Sequence, residues 1–184
     1  MTVAGIFVGG AGARMGGMAK GLLVSPGGET LIERWRAVLT EAGVGPVLLV
    51  GRHPAYAAVA GLEALDDEPP GIGPLGGLVA LLRRAGEGTA LALACDMPFV
   101  SRELVERLVA APPAPVVAPR REGRWEPLCA RYDAPRVLPL AMRAAAGPRH
   151  GLGRVLDAAG AVELPLAPGE AAQLDDWDSP ADRR

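Results

Sequence analysis

Residues 2–21, TVAGIFVGGAGARMGGMAKG, join an apolar run of strand length to a loop carrying six glycines, one arginine and one lysine. The run does not alternate polar with apolar residues, which marks a strand covered on both faces, as in a parallel sheet. The glycines behind it free φ to go positive and let main-chain N–H groups approach a ligand with no Cβ in the way. Such a loop suits an anion. A flexible connector would have no reason to follow a buried strand or to end in Arg14 and Lys20.

Working outward, strands alternate with helices. ETLIERWRAVLTEAG (29–43) sets Leu31, Ile32, Trp35, Val38 and Leu39 on one helical face, and Gly43 stops the helix. PVLLVG (46–51) reads as a second buried strand, PAYAAVA (54–60) as a short helix, and LEAL (62–65) as a third strand delivering Asp66 and Asp67 to its end. PLGGLVALLRRAG (74–86) reads as helical after its glycines, ALALAC (90–95) as a fourth strand ending at Asp96, and Ser101 as the N-cap of RELVERLVA (102–110). After Pro112 the pattern is less regular. APVVAP (114–119) and EPLCARY (126–132) read as strands flanking the turn-like REGR, two helices follow over 134–147 and 151–160, and AVELP (161–165) is a late strand. The fold expected is an α/β class, three-layer α/β/α sandwich with a mostly parallel sheet.

Bulk properties limit what this fold can serve. The 184 residues suffice for a single domain, 1–184, and 49% apolar with 22% charged residues is the composition of a globular protein. The proline- and alanine-rich stretch 111–115 is short enough to be a loop inside one domain. A net charge of −2 leaves no electrostatic footprint for nucleic acid or an anionic membrane, and no apolar stretch is long enough to cross a bilayer. The first residues lack a basic stretch and read as a strand, not as a signal peptide. Two cysteines, Cys95 and Cys129, sit in apolar segments without CxxC spacing, so buried thiols in a reducing cytoplasm are expected.

Parallel sheets bind ligands beyond the carboxyl ends of their strands, and the glycine loop, Asp67 and Asp96 are all placed there. Two phosphate loops fail against the glycines. A dinucleotide fingerprint starting at Gly10 and Gly12 meets Met15 in its last place, and GRHP supplies no acid at the end of the second strand. A Walker A loop would need glycine before Lys20 and Ser or Thr after it, where Ala19 and Gly21 stand.

The glycine loop ending in R-M-G and then a lysine resembles the nucleotidyltransferase signature. Together, VGGAGARMGGMAKGLL (8–23), DEPPGIGPLGGL (67–78), CDMPF (95–99) and DDWDSPAD (175–182) resemble the molybdenum cofactor guanylyltransferases, the MobA family. R-M-G and CDMPF are shared by many nucleotidyltransferases, and PGIGPLGGL points more narrowly to this family. The resemblance implies a Rossmann-like nucleotidyltransferase fold that transfers GMP from GTP to the phosphate of molybdopterin with Mg²⁺, releasing pyrophosphate. It divides the chain into a nucleotide-binding part of about 1–111 and an acceptor-binding part of about 112–184. It carries catalytic roles onto Arg14, Lys20 and Asp96, and nucleotide binding onto Val8, Gly9, Gly10, Gly12, Lys20, Asp67, Gly73, Pro74 and Leu75. Asp96 and Asp178 become candidate metal ligands.

The chemistry asks for these residue types. Joining one phosphate to another sets anion against anion, so charge must be neutralised and the groups held in line. Backbone N–H groups of Gly9 to Gly12 can cradle phosphate oxygens, and Arg14 and Lys20 add full charge. A strand-end aspartate such as Asp96 suits Mg²⁺, which takes one or two carboxylates plus substrate phosphates. Asp67, or its neighbour Asp66, can accept paired hydrogen bonds from guanine N1–H and N2–H, which adenine cannot supply. Gly71, Gly73 and Gly77 let the chain close against a planar base. Four positions depart from the family pattern: Ala19 for an aspartate before the lysine, Gly51 for an asparagine, and Asp176 and Asp178 for asparagines near the end. The D-x-D pattern also resembles cytidylyltransferases, so transfer of CMP or another nucleotidyl group to a different acceptor stands as the alternative, with a non-catalytic GTP-binding module behind it.

Overall fold

Strand β1 (Thr2–Phe7) lies inside the sheet because its side chains are apolar on both faces. Ala4 and Ile6 join one hydrophobic core and Val3 and Phe7 the other. Gly5 is where a helix comes closest: a Cβ there would stand 2.7 Å from a Leu81 methyl and from a Val50 methyl. A computed structural model describes residues 1–8, 19–58 and 61–177 of the chain.

The other elements follow in chain order. They are α1 (Leu31–Glu41), β2 (Val47–Val50), β3 (Glu63–Leu65), α2 (Pro74–Ala85), β4 (Thr89–Ala94), α3 (Arg102–Ala110) and β5 (Val116–Ala118). Then come β6 (Arg120–Arg121), β7 (Arg124–Trp125), β8 (Cys129–Asp133), α4 (Ala134–Ala145), α5 (Leu152–Ala159) and β9 (Val162–Glu163). The main sheet runs β3-β2-β1-β4-β8-β5-β9. Its pairs are parallel except those that β8 makes with β4 and β5. Helices α1 and α3 cover one face, α2, α4 and α5 the other, which gives the expected three layers. Among the described residues no helix is long and apolar enough to cross a membrane.

Local sequence explains most element boundaries. Thr30 and Glu33 close a reciprocal capping box at the start of α1, and Gly43 leaves it at φ +69°. Ser101 caps α3 by accepting from the Leu104 amide, and Asp133 caps α4 by accepting from that of Arg136. Pro74, at the first position of α2, needs no amide hydrogen there. Of the short helix expected over 54–60, Pro54–Ala58 form a 3-10 turn, and Val59 and Ala60 lie outside the described residues. REGR closes a small ribbon, β6 against β7, with Glu122 and Gly123 both at positive φ as a two-residue hairpin turn requires.

The stretch 111–115 is tied to the sheet by a residue whose role the sequence did not signal. Arg131, buried in the middle of β8, donates to the carbonyl oxygens of Val109, Ala111 and Pro112 at 2.9, 2.6 and 2.7 Å. The guanidinium thus meets the carbonyls that α3 leaves open at its end. Arg131→Met keeps the apolar stem and leaves those acceptors without their donor. We expect a loss of about 3 kcal/mol in denaturant unfolding, from three hydrogen bonds to a charged donor. A change below about 0.5 kcal/mol would mean that water replaces the guanidinium at no cost.

Candidate active site

The parallel strands end in step. Phe7 pairs with both Val50 and Ala94, and Val50 with Leu65, so the residues that follow each strand emerge along one edge. Asp96 follows β4 and Asp67 follows β3, at opposite ends of this edge and three strand spacings apart. At about 4.8 Å per strand that separation is roughly 14 Å. The two carboxylates cannot share one ion, and the crevice has two distinct ends.

At the β4 end, Lys20 Nζ donates to Asp96 Oδ2 at 2.8 Å, with side-chain exposures of 21% and 18%. Sequence reasoning placed both residues at the site without foreseeing this pair. The partner that Ala19 does not supply to Lys20 comes from across the sheet. Ala19 instead starts the 3-10 turn Lys20–Leu22, its carbonyl accepting from the Leu22 amide at 2.9 Å. Asp96 is held through its backbone: its carbonyl accepts from the Trp177 amide at 2.9 Å, and the Cys95 amide donates to the Phe7 carbonyl at 3.2 Å. Trp177 is buried against Leu23 and Leu31 and meets Phe99 edge-on. Trp177 is therefore anchored beside Asp96, by its amide and by its buried indole. A lone tryptophan among aspartates was the signal for it.

Two groups near the pair do not ionise readily. Burial, with the charge of Asp96 adding to it, pushes the Cys95 thiol up to about 12. Burial likewise raises the Tyr56 hydroxyl well above its ordinary range. Both cysteines are buried thiols, as expected, and neither has the low-pKa environment of a nucleophile.

At the β3 end the structure separates the two aspartates that the sequence left interchangeable. Asp66 is exposed and forms a two-point ion pair with Arg52. Asp67 turns toward the start of α2, where a Cβ on Gly77 would come within 3.2 Å of its Oδ1. Partial burial raises the Asp67 carboxyl pKa, and the Asp66 charge pushes the same way. Gly76 and Gly77 are glycines for packing. A side chain at Gly76 would run into the Pro69 carbonyl oxygen, and one at Gly77 would stand 2.6 Å from a Val50 methyl and 2.9 Å from the Phe7 ring. Gly77 thus lets α2 seat on β1 and β2 and leaves no room for a base at that point. Gly71 and Gly73 carry positive φ, +81° and +68°, and shape the exposed turn before α2.

Val8 and Leu75 have buried side chains, so either can meet a ligand only through its backbone, whereas Gly73 and Pro74 are exposed. Gly9, Gly10, Gly12, Arg14 and Asp178 lie outside the described residues. Among the described residues no three His, Cys, Asp or Glu side chains come together. A closed protein cage for a metal is absent from that part of the chain. Asp96, whose Oδ2 is held by Lys20, is still a strand-end carboxylate of the kind that Mg²⁺ takes alongside substrate oxygens, so its donor chemistry suits the ion.

A mostly parallel sheet whose first strand runs, in sequence, into a glycine-rich stretch, with a lysine–aspartate pair and a half-buried aspartate beyond its carboxyl ends, is the framework of a nucleotide-handling α/β protein. Residues 4–162 match the MobA-like NTP transferase domain, and the chain belongs to that family. It is 41% identical over 150 residues to a molybdenum cofactor guanylyltransferase of Pseudomonas putida, covering 78% of this chain and 76% of that one. It is 36% identical over 130 residues to one from Xanthomonas euvesicatoria, covering 70% of this chain and 64%, just under two thirds, of that relative. The crystal structure of molybdopterin-guanine dinucleotide biosynthesis protein A from Archaeoglobus fulgidus superposes with a TM-score of 0.76 at 28% identity, covering 99% of this chain and 94% of that one.

Proposed function

We propose that this protein transfers GMP from GTP to the phosphate of molybdopterin. A phosphate oxygen of the acceptor attacks the α-phosphorus, the bond from that phosphorus to the bridging oxygen breaks, and pyrophosphate leaves. The observation that carries the reading is the Lys20–Asp96 pair at the phosphate end of an edge whose other end holds Asp67. The names of the relatives favour GTP over CTP.

Lys20 brings positive charge to the triphosphate, and Arg14 and the amides of Gly9, Gly10 and Gly12 are assigned the same task. Asp96, with Asp178, would hold Mg²⁺, which when bound neutralises phosphate charge. Asp67 accepts from guanine N1–H and N2–H. Its carboxylate has no side-chain hydrogen bond or ion pair among the described residues and carries a desolvation penalty, so two donors from a base relieve it. Val8, Gly73, Pro74 and Leu75 contribute backbone to the nucleotide site, and residues from about 112 onward meet the acceptor.

The test is to offer GTP, ATP, CTP and UTP with Mg²⁺ and molybdopterin and identify the nucleotide consumed. GTP is expected to be used and to bind at least about tenfold more tightly than ATP in calorimetry, because adenine leaves the Asp67 carboxylate unpaired. Equal affinities would remove Asp67 from base recognition. Consumption of CTP would replace the guanylyl reading with a cytidylyl one.

A further inference from the structure

Tyr56 has no place in the chemistry described above, yet its hydroxyl is bonded to the chain neighbour of Lys20 and its ring shares a core with the chain neighbour of Asp96. The side chain is buried, in the 3-10 turn that follows β2. Its Oη accepts from the Gly21 amide at 2.9 Å, one residue after Lys20. Its ring packs in the same buried cluster as Cys95, one residue before Asp96. Two segments far apart in sequence, the turn Lys20–Leu22 and the turn after β2, thus meet at one oxygen, within the core that also holds the end of β4. The packing around Gly21 leaves little slack, since a Cβ there would stand 2.8 Å from Ile32 Cγ1 and 3.0 Å from the tyrosine oxygen.

We propose that Tyr56 is a positioning residue, whose hydroxyl clamps the Gly21 amide so that Lys20 is held against Asp96 at the place where the triphosphate binds. This rests on the reading of Lys20 as the cation that faces the nucleotide. Removing the hydroxyl leaves a buried amide without its acceptor, and the turn Lys20–Leu22 shifts to find another. Charge at the right distance matters in the transition state, so a shifted lysine lowers kcat more than it weakens ground-state binding.

The experiment is a double-mutant cycle on the full chain, with kcat and KM for GTP measured in the presence of Mg²⁺ and molybdopterin for Tyr56→Phe, Lys20→Met and the double variant. Tyr56→Phe keeps the ring and its packing. It is expected to lower kcat about tenfold with KM for GTP changed by less than about threefold, and the double variant to be no slower than Lys20→Met by more than about twofold. A purely structural tyrosine would lower the unfolding midpoint and leave kcat alone, which would overturn the proposal. So would a double variant slowed by the product of the two single effects, because Tyr56 would then act independently of Lys20. Should Tyr56→Phe fail to fold, Gly21→Ala disturbs the same contact from the other side, and wild-type kcat in that variant would equally overturn the clamp. The reading of Lys20 is examined separately, by Lys20→Met alone. Wild-type turnover there removes the reading and the clamp with it, whereas loss in Lys20→Met with none in Tyr56→Phe removes only the clamp.

Discussion

Asp96→Asn is expected to abolish nucleotidyl transfer, by at least about a thousandfold in kcat, and to leave the fold intact. The backbone that carries residue 96 is held from both sides without help from its carboxylate, through the Trp177 amide on the Asp96 carbonyl and the Cys95 amide on the Phe7 carbonyl. An asparagine has the same shape and its amide oxygen can still accept from Lys20, so packing changes little. What disappears is the negative charge that a hard cation requires and an amide supplies poorly. Activity should be measured at several Mg²⁺ concentrations beside a circular dichroism spectrum and an unfolding curve. Near-normal turnover at saturating Mg²⁺ would exclude Asp96 from the metal site and reduce its role to that of an anchor for Lys20.

The second large effect concerns the other half of the pair. Lys20→Met is expected to lose about a hundredfold in kcat/KM for GTP, equivalent to roughly 2.7 kcal/mol of transition-state stabilisation. A unit charge about 4 Å from a phosphate oxygen is worth roughly 4 kcal/mol at an effective dielectric of 20, so the loss lies within what a single cation can supply. With both side chains only about one-fifth exposed, water and salt screen the charge less than they would on an open surface. Lys20→Arg should retain part of the activity, because an ammonium acts as a compact point charge and not as a planar fork. If Lys20→Met turns over GTP within about threefold of wild type, the lysine serves the folded protein through Asp96 alone, and the phosphates are held by backbone and Arg14.

The legible part of this protein was the part written in short windows. The continuous apolar runs that became β1, β2 and β4 announced a sheet covered on both faces, and Ser101 and Gly43 marked helix ends through groups a few residues away. Placing Asp96 at a strand end followed from the same reading, since a charged residue just after a buried strand is driven to the edge, whereas Asp67 follows β3, a short and largely exposed strand.

Other features depended on which strands become neighbours. The antiparallel β8 enters between β4 and β5, and only that order brings Arg131 under the carbonyls at the end of α3. Asp66 and Asp67 differ in their surroundings through Arg52, which pairs with the first, and through the start of α2, toward which the second turns.

By itself, then, the sequence determined the layered α/β architecture and the edge on which the candidate site residues sit. Both depend on side-chain burial and backbone capping that operate over one strand or one helical turn. Only the tertiary structure decided that Lys20 meets Asp96 and that Tyr56 and Trp177 brace the segments carrying them. Lys20 and Asp96 are 76 positions apart in the chain, and Gly21 and Tyr56 are 35 apart. No local rule relates residues at such separations. They come together because parallel strands in register place their carboxyl ends side by side.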